Sequence, residues 1–91
     1  MKTLYHASNR QFEKLLKSKL GNPKTASFTE AKSFAERIAR DRVLERGGEP
    51  WLYTFTVDDT NEEQVRYISE MAVGWILVAD ELTPHAREKL N

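Results

Sequence analysis

His6 and His85 are the only imidazoles in the 91-residue chain. They lie far apart in sequence, and neither has a second imidazole or a carboxylate at a metal-ligand interval, so a zinc site is not expected. The absence of cysteine excludes a thiolate metal site, a cysteine nucleophile and a disulfide framework. There is no Gly-x-Gly-x-x-Gly, no P-loop, no Gly-x-Ser-x-Gly elbow and no EF-hand loop. Asp58-Asp59 is an acidic pair, but it lies beside a turn, where aspartate is favoured for bonding to backbone. His6 is the more informative histidine: it follows Tyr5 on an N-terminal run of strand character and precedes a small Ala7-Ser8 turn. A second kind of chemistry is electrostatic. Lys24, Arg37, Arg40 and Arg46 are cations that together could neutralise phosphates or an acidic protein face.

The elements that would position these residues follow from pattern. Thr3 to Ala7 is aromatic and β-permissive, which predicts a strand. From Asn9, a candidate N-cap, Phe12, Leu15, Leu16 and Leu20 fall at helical spacing, and Gly21-Asn22-Pro23 supplies a stop. Pro23 to Ala26 should then be a loop carrying Lys24. Ala31, Phe34, Ala35, Ile38, Ala39, Arg42 and Val43 recur every three or four residues until Gly47-Gly48, which predicts a second helix. Its N-cap is either Ser27, in a capping-box pattern with Glu30, or Thr29, which would leave Phe28 on an extended segment. Its polar face interleaves Lys32, Arg37, Arg40 and Arg46 with Glu36, Asp41 and Glu45, much of it an ordinary solvated surface.

Trp51 to Val57 is rich in aromatic and β-branched residues and predicts a strand ending in a turn at Asp58-Asp59-Thr60. Thr60 with Glu63 repeats the capping-box pattern, and Val65, Ile68, Met71 and Ala72 fit a third helix that stops at Gly74. Val65, Tyr67 and Ser69 would also permit a strand. Trp75 to Ala79 is a continuous apolar run and should be the central strand. Thr83-Pro84 predicts a short terminal helix reaching Leu90. The expected order is therefore β α α β α β α, an α+β domain with a small sheet of about three or more strands and three to four helices.

A chain of this length is expected to form one domain with a modest core, leaving little room for a large enclosed active site. The composition, 40% apolar and 31% charged, is that of a folded protein, and the formal net charge is +0. That neutrality hides a division. Met1 to Arg46 holds eleven lysines and arginines against five acidic residues, and Gly47 to Asn91 holds three against nine. Either pole could meet a partner of opposite sign, although mutual complementation of the halves on packing is the plainer expectation. Cysteine usage, an N-terminus without an apolar core and apolar runs too short for a membrane span lead to the expectation of a cytoplasmic protein with no membrane partner.

Leu4-Tyr5-His6-Ala7-Ser8, then Phe12, then Ser27-Phe28-Thr29-Glu30-Ala31 running into Phe34-Ala35, then Trp51 to Val57 resembles the opening of small ADP-ribosyltransferase-like domains. The closing run Trp75-Ile76-Leu77-Val78-Ala79-Asp80 resembles that family's last strand, so the likeness loosely covers most of the chain. In the branch with a His-Tyr-Glu triad, the resemblance implies NAD as cofactor, no metal, and His6 hydrogen-bonded to the nicotinamide ribose. Tyr5, His6, Ser8, Phe28 and Thr29 would line the NAD site, with Tyr5 or Phe28 stacking on nicotinamide. A glutamate would stabilise an oxocarbenium-like transition state. Phe28 stands where a tyrosine is usual, and Gly74 stands where the glutamate is expected, so Glu70 or Glu81 would take the acidic role beside His6.

Two functional expectations result. One is an NAD-using ADP-ribosyltransferase-like enzyme acting on a macromolecular acceptor, of the kind a phage or mobile element deploys as an effector. The other is a non-catalytic inhibitor or binding module that meets its partner, a protein before a nucleic acid, through Lys24, Arg37, Arg40 and Arg46.

Overall fold

A computed structural model describes residues 1–17, 26–68 and 74–91. Among them are one helix, α1 (Lys32–Arg46), and eight strands: β1 (Lys2–Ser8), β2 (Leu15–Leu16), β3 (Ser27–Phe28), β4 (Trp51–Val57), β5 (Val65–Tyr67), β6 (Trp75–Leu77), β7 (Glu81–Leu82) and β8 (Ala86–Lys89). All strand pairing is antiparallel and forms three small sheets, ordered β1-β4-β8, β3-β6-β5 and β2-β7. The protein is therefore mostly β, which corrects the expected α+β domain with three to four helices.

Three predicted helices are replaced by extended or turn structure, each through a tertiary contact stronger than a local pattern. In the segment from Asn9, the Tyr53 hydroxyl accepts the Phe12 N–H at 2.7 Å and donates to the Arg10 carbonyl at 3.1 Å. Leu15 and Leu16 then pair with Leu82 and Glu81. Leu20, which completed that helical spacing, lies outside the described residues. After Thr60, Asp58 and Asn61 turn the chain: the Asp58 carboxylate accepts the Thr60 N–H at 3.0 Å, and the Asn61 side chain accepts the Glu63 N–H at 3.0 Å. Val65 to Tyr67 next enter the sheet beside β6, the strand alternative that those residues allow. Met71 and Ala72 lie outside the described residues. At the C-terminus the His85 N–H donates to the Thr54 carbonyl at 2.7 Å, and Ala86 to Lys89 then zip along the free edge of β4. An unpaired edge next to a short segment with free backbone groups favours a strand over a short helix.

The helix that does form, α1, spans most of the predicted range. Its N-cap is Ala31, without a side-chain cap bond. Of the two predicted caps, Ser27 lies in β3, whereas the Thr29 hydroxyl accepts the Ala31 N–H at 3.1 Å, just ahead of the helix. Ala35 and Ala39 are buried against Ala7 and Leu52 of the first sheet, where small side chains let helix and sheet approach closely. The larger core lies on the other face of that sheet, around Leu4, Phe28, Tyr53, Phe55, Trp75 and Leu77. Of Trp75 to Ala79, expected as the central strand, Trp75 to Leu77 forms a strand, the middle one of the β3-β6-β5 sheet.

Beyond α1, Gly48 has φ +87°, and a Cβ there would collide with the Asn9 carbonyl. Only glycine lets the helix exit lie flat on the segment that follows β1. The Asn9 carbonyl accepts the Glu49 N–H at 3.0 Å, and the Asn9 amide donates to the Gly47 carbonyl at 3.2 Å. These contacts bring the end of α1 beside the end of β1.

The two oppositely charged halves do meet. Of the five ion pairs among the described residues, three cross between them: the N-terminus with Asp59, Lys14 with Glu81, and Lys32 with Glu88. No helix of the described residues is long and apolar enough to cross a membrane.

Candidate functional site

Where β1 ends, the loop 9–14, the start of β3 and the last turns of α1 enclose an open cleft of about 710 Å³. His6, Ser8, Arg10, Phe12, Arg42 and Arg46 are among the residues that line it. Its volume lies within the ~300–1,000 Å³ usual for small-molecule sites.

His6 is 8% exposed and sits directly opposite Tyr53 in the sheet, so the two side chains share a face. Its Nδ1 lies 2.8 Å from the Ser27 carbonyl oxygen. A carbonyl can only accept, so Nδ1 carries the hydrogen and Nε2 is a bare lone pair in the neutral ring. Among the described residues Nε2 makes no hydrogen bond, and His6 is one of the residues that line the cleft. Burial lowers the His6 pKa to about 4, against the Ser27 bond, which favours the charged ring, and with a smaller contribution from Arg42. The ring is neutral at physiological pH and presents an acceptor.

The loop that forms one wall owes its shape to Tyr53. Phe12 stacks on the Tyr53 ring at 3.8 Å between centroids, and the Arg87 guanidinium donates to the Phe12 carbonyl at 3.0 Å. Tyr53→Phe is expected to strand the Phe12 N–H and the Arg10 carbonyl, costing about 1–3 kcal/mol. Amide exchange at Phe12 should accelerate in that variant, and unchanged protection there would show that the hydroxyl does not hold the loop.

The other predicted residues are distributed differently. Ser8 is buried and lines the cleft, its hydroxyl accepting the Arg10 N–H at 3.2 Å. Tyr5 lies on the opposite face of β1, packed against the alanine cluster of α1, as strand alternation demands. Phe28 is fully buried, edge-on to Phe55 with centroids 5.2 Å apart. Thr29 is buried and exchanges backbone hydrogen bonds with Tyr5 at 2.8 and 2.9 Å. Thus His6 and Ser8 share the cleft, whereas the rings of Tyr5 and Phe28 are used in packing. Glu81 is exposed and paired at 2.9 Å with Lys14, a lining residue, which places the carboxylate at the rim. Glu70 and Lys24 lie outside the described residues.

The cationic set on α1 also divides. At about 100° per residue, Ala35, Ala39, Arg42 and Arg46 fall within about 60° of one another, while Arg37 and Arg40 lie about 140–160° from Ala35. Arg46 joins Arg42 in the cleft. Arg37 is exposed, and Arg40 reaches the terminal Asn91 carbonyl at 3.2 Å. Arg42 and Arg10 were not singled out by pattern. The signal for Arg42 was a charge at an apolar-face position of an otherwise regular helix; Arg10 had none. Among the described residues no group of three or more His, Cys, Asp or Glu could hold a metal ion.

Comparison with protein-family models, with curated proteins and with solved structures finds no match.

Proposed function

We propose that the cleft binds NAD and that the protein is an ADP-ribosyltransferase-like domain in which His6 receives a ribose hydroxyl. The observation carrying this reading is the fixed tautomer of His6, a residue lining the cleft: Nδ1–H is committed to Ser27, which leaves Nε2 of the neutral ring as an acceptor. A buried neutral acceptor suits a hydroxyl donor and not an anion, which would need a proton on that nitrogen. The Ser8 hydroxyl, in the same cleft, offers a second polar contact. NAD supplies the ADP-ribosyl group, and its transfer releases nicotinamide. The acidic role falls to Glu81 at the rim or to Glu70. The alternative, a module docking by a basic helix face, draws less support, because Arg46 lies on a different side of α1 from Arg37 and Arg40.

The test is nicotinamide release from NAD, measured by chromatography with and without a lysate supplying acceptors. His6→Asn keeps an amide donor for the Ser27 carbonyl while deleting the Nε2 acceptor. Release is expected from the wild type and reduced at least about 100-fold in this variant, the lower bound usual for a positioned catalytic group. Equal release by both proteins, or none by the wild type under either condition, would remove the transferase reading.

A further inference from the structure

We infer that Arg10, Arg42 and Arg46 form a seat for the diphosphate of a small nucleotide. The inference rests on the reading of the cleft as a nucleotide site, but not on turnover.

What sets these three side chains apart is that they line one cleft without an ion-pair partner among the described residues. Lys14, the other cation lining the cleft, holds Glu81 within salt-bridge distance, as Lys2, Lys32 and Lys89 hold glutamates away from it. Among the described residues no carboxylate reaches that distance from Arg10, Arg42 or Arg46. Glu13 is the one carboxylate among the described lining residues, and it is exposed. Glu45 attracts Arg42 without forming an ion pair. Arg42 and Arg46 stand one helical turn apart, where like charges repel. Three guanidiniums lining a concave site, with no ion-paired carboxylate among the described residues, form an anion receptor.

Two of the three have a fixed base. The half-buried Arg42 donates from one terminal nitrogen to the Ala7 carbonyl at 2.9 Å, which orients the guanidinium and leaves its remaining donors available. Arg10 has its N–H on the Ser8 hydroxyl and its carbonyl on the Tyr53 hydroxyl, so its backbone is held at the cleft. Arg46 is exposed and completes the set from the last turn of α1. The cleft is larger than a single phosphate requires. Its cations and the neutral acceptor of His6 match a ligand bearing both phosphates and a sugar hydroxyl.

Calorimetric titration of the full chain with inorganic pyrophosphate and with ADP-ribose tests this. Both are expected to bind, with affinity falling as salt rises. Arg42→Gln also removes the tie to Ala7, so the deciding variant is Arg46→Gln, whose side chain is exposed and whose melting temperature should be unchanged. It is expected to weaken both ligands about tenfold or more, the equivalent of one charge-assisted contact. Arg37→Gln, on another side of the helix, should leave both affinities as they are. Absence of binding by the wild type, or equal weakening by Arg37→Gln and Arg46→Gln, would overturn the inference. Pyrophosphate binding that depends on Arg46 in a protein that releases no nicotinamide would uphold the seat and remove the transferase reading. Nicotinamide release that depends on His6, with ligand affinity indifferent to Arg46, would do the reverse.

Discussion

Phe28→Ala is expected to cost about 3–5 kcal/mol of folding free energy, the range for deleting a large aromatic from a packed interior. Phe28 is 0% exposed, meets Phe55 edge-on at 5.2 Å and lies 5.7 Å from the His6 ring. It also sits where β3 pairs with β6, opposite Trp75, so the cavity would open between two strands of the principal core. Since small domains have about 5–15 kcal/mol in total, the variant should be partly unfolded or close to it. Urea denaturation would show the midpoint falling sharply. The family resemblance instead assigns this ring to stacking on nicotinamide, which predicts lost NAD affinity with little change in stability. A stability loss below about 1 kcal/mol would contradict the packing account, because no buried phenyl ring is removed so cheaply.

Phe28 also illustrates what pattern could and could not disclose. Its segment, Ser27-Phe28-Thr29, is legible as extended once Thr29 rather than Ser27 precedes the helix. What its ring faces depends on β6, almost fifty residues later. The long strands β1 and β4 and the helix α1 were legible because each carries a local period or a dense run of β-branched and aromatic residues. The short strands β2, β7 and β8 were not. Leu15 and Leu16 have helical neighbours in sequence, and only Leu82 and Glu81 draw them into a ladder. Ala86 to Lys89 consists largely of good helix formers, yet the vacant edge of β4 pairs with it. Capping-box sequences misled for a related reason. Asp58 and Asn61 bond to N–H groups two residues on, the same interaction that starts a helix, and here they close a turn.

The site was legible in half. His6 stands out on an N-terminal strand and Ser8 enters through the family resemblance, and the structure puts both in the cleft, on the strand β1 that runs through Ser8. Tyr5 is adjacent in sequence, but a strand sends neighbours to opposite faces, and this separates it from His6. Arg42 occupies an apolar-face position of α1, where a lone charge normally snorkels outward. Its guanidinium turns instead to the Ala7 carbonyl at the end of β1. That contact requires the helix exit to lie against Asn9, which depends on Gly48. The gathering of Arg10, Arg42 and Arg46 is thus a product of the tertiary fold, with no spacing rule in the sequence to announce it.

Lowering the pH from about 6.5 to about 4 is expected to remove about 3 kcal/mol of stability through His6 alone. An unfolded histidine titrates near 6.5. In the folded protein, burial holds the His6 pKa at about 4, despite the Ser27 carbonyl that favours the imidazolium, and Arg42 adds to the penalty. Above pH 6.5 neither state binds the proton, and stability is at its full value. As the pH falls through that range the unfolded chain gains a proton that the folded chain resists, and stability declines until the folded ring is also protonated near pH 4. Glu30, held low by bonds from Trp75 and Lys2, and Asp58, held low by Thr60, affect stability only as the pH approaches their ordinary values of 4.5 and 3.8. The interval above them therefore isolates the histidine effect. Denaturation of wild type and His6→Asn at closely spaced pH values would measure it. The asparagine variant should lack most of the slope between pH 6.5 and 4.5, and identical slopes would show that His6 is not the group responsible. Because Nδ1 already carries a hydrogen, the proton taken up by the folded ring goes to Nε2 and turns that acceptor into a donor. Ligand binding through a hydroxyl is accordingly expected to weaken nearer pH 4 than pH 6.5, after the protein has already lost much of its stability.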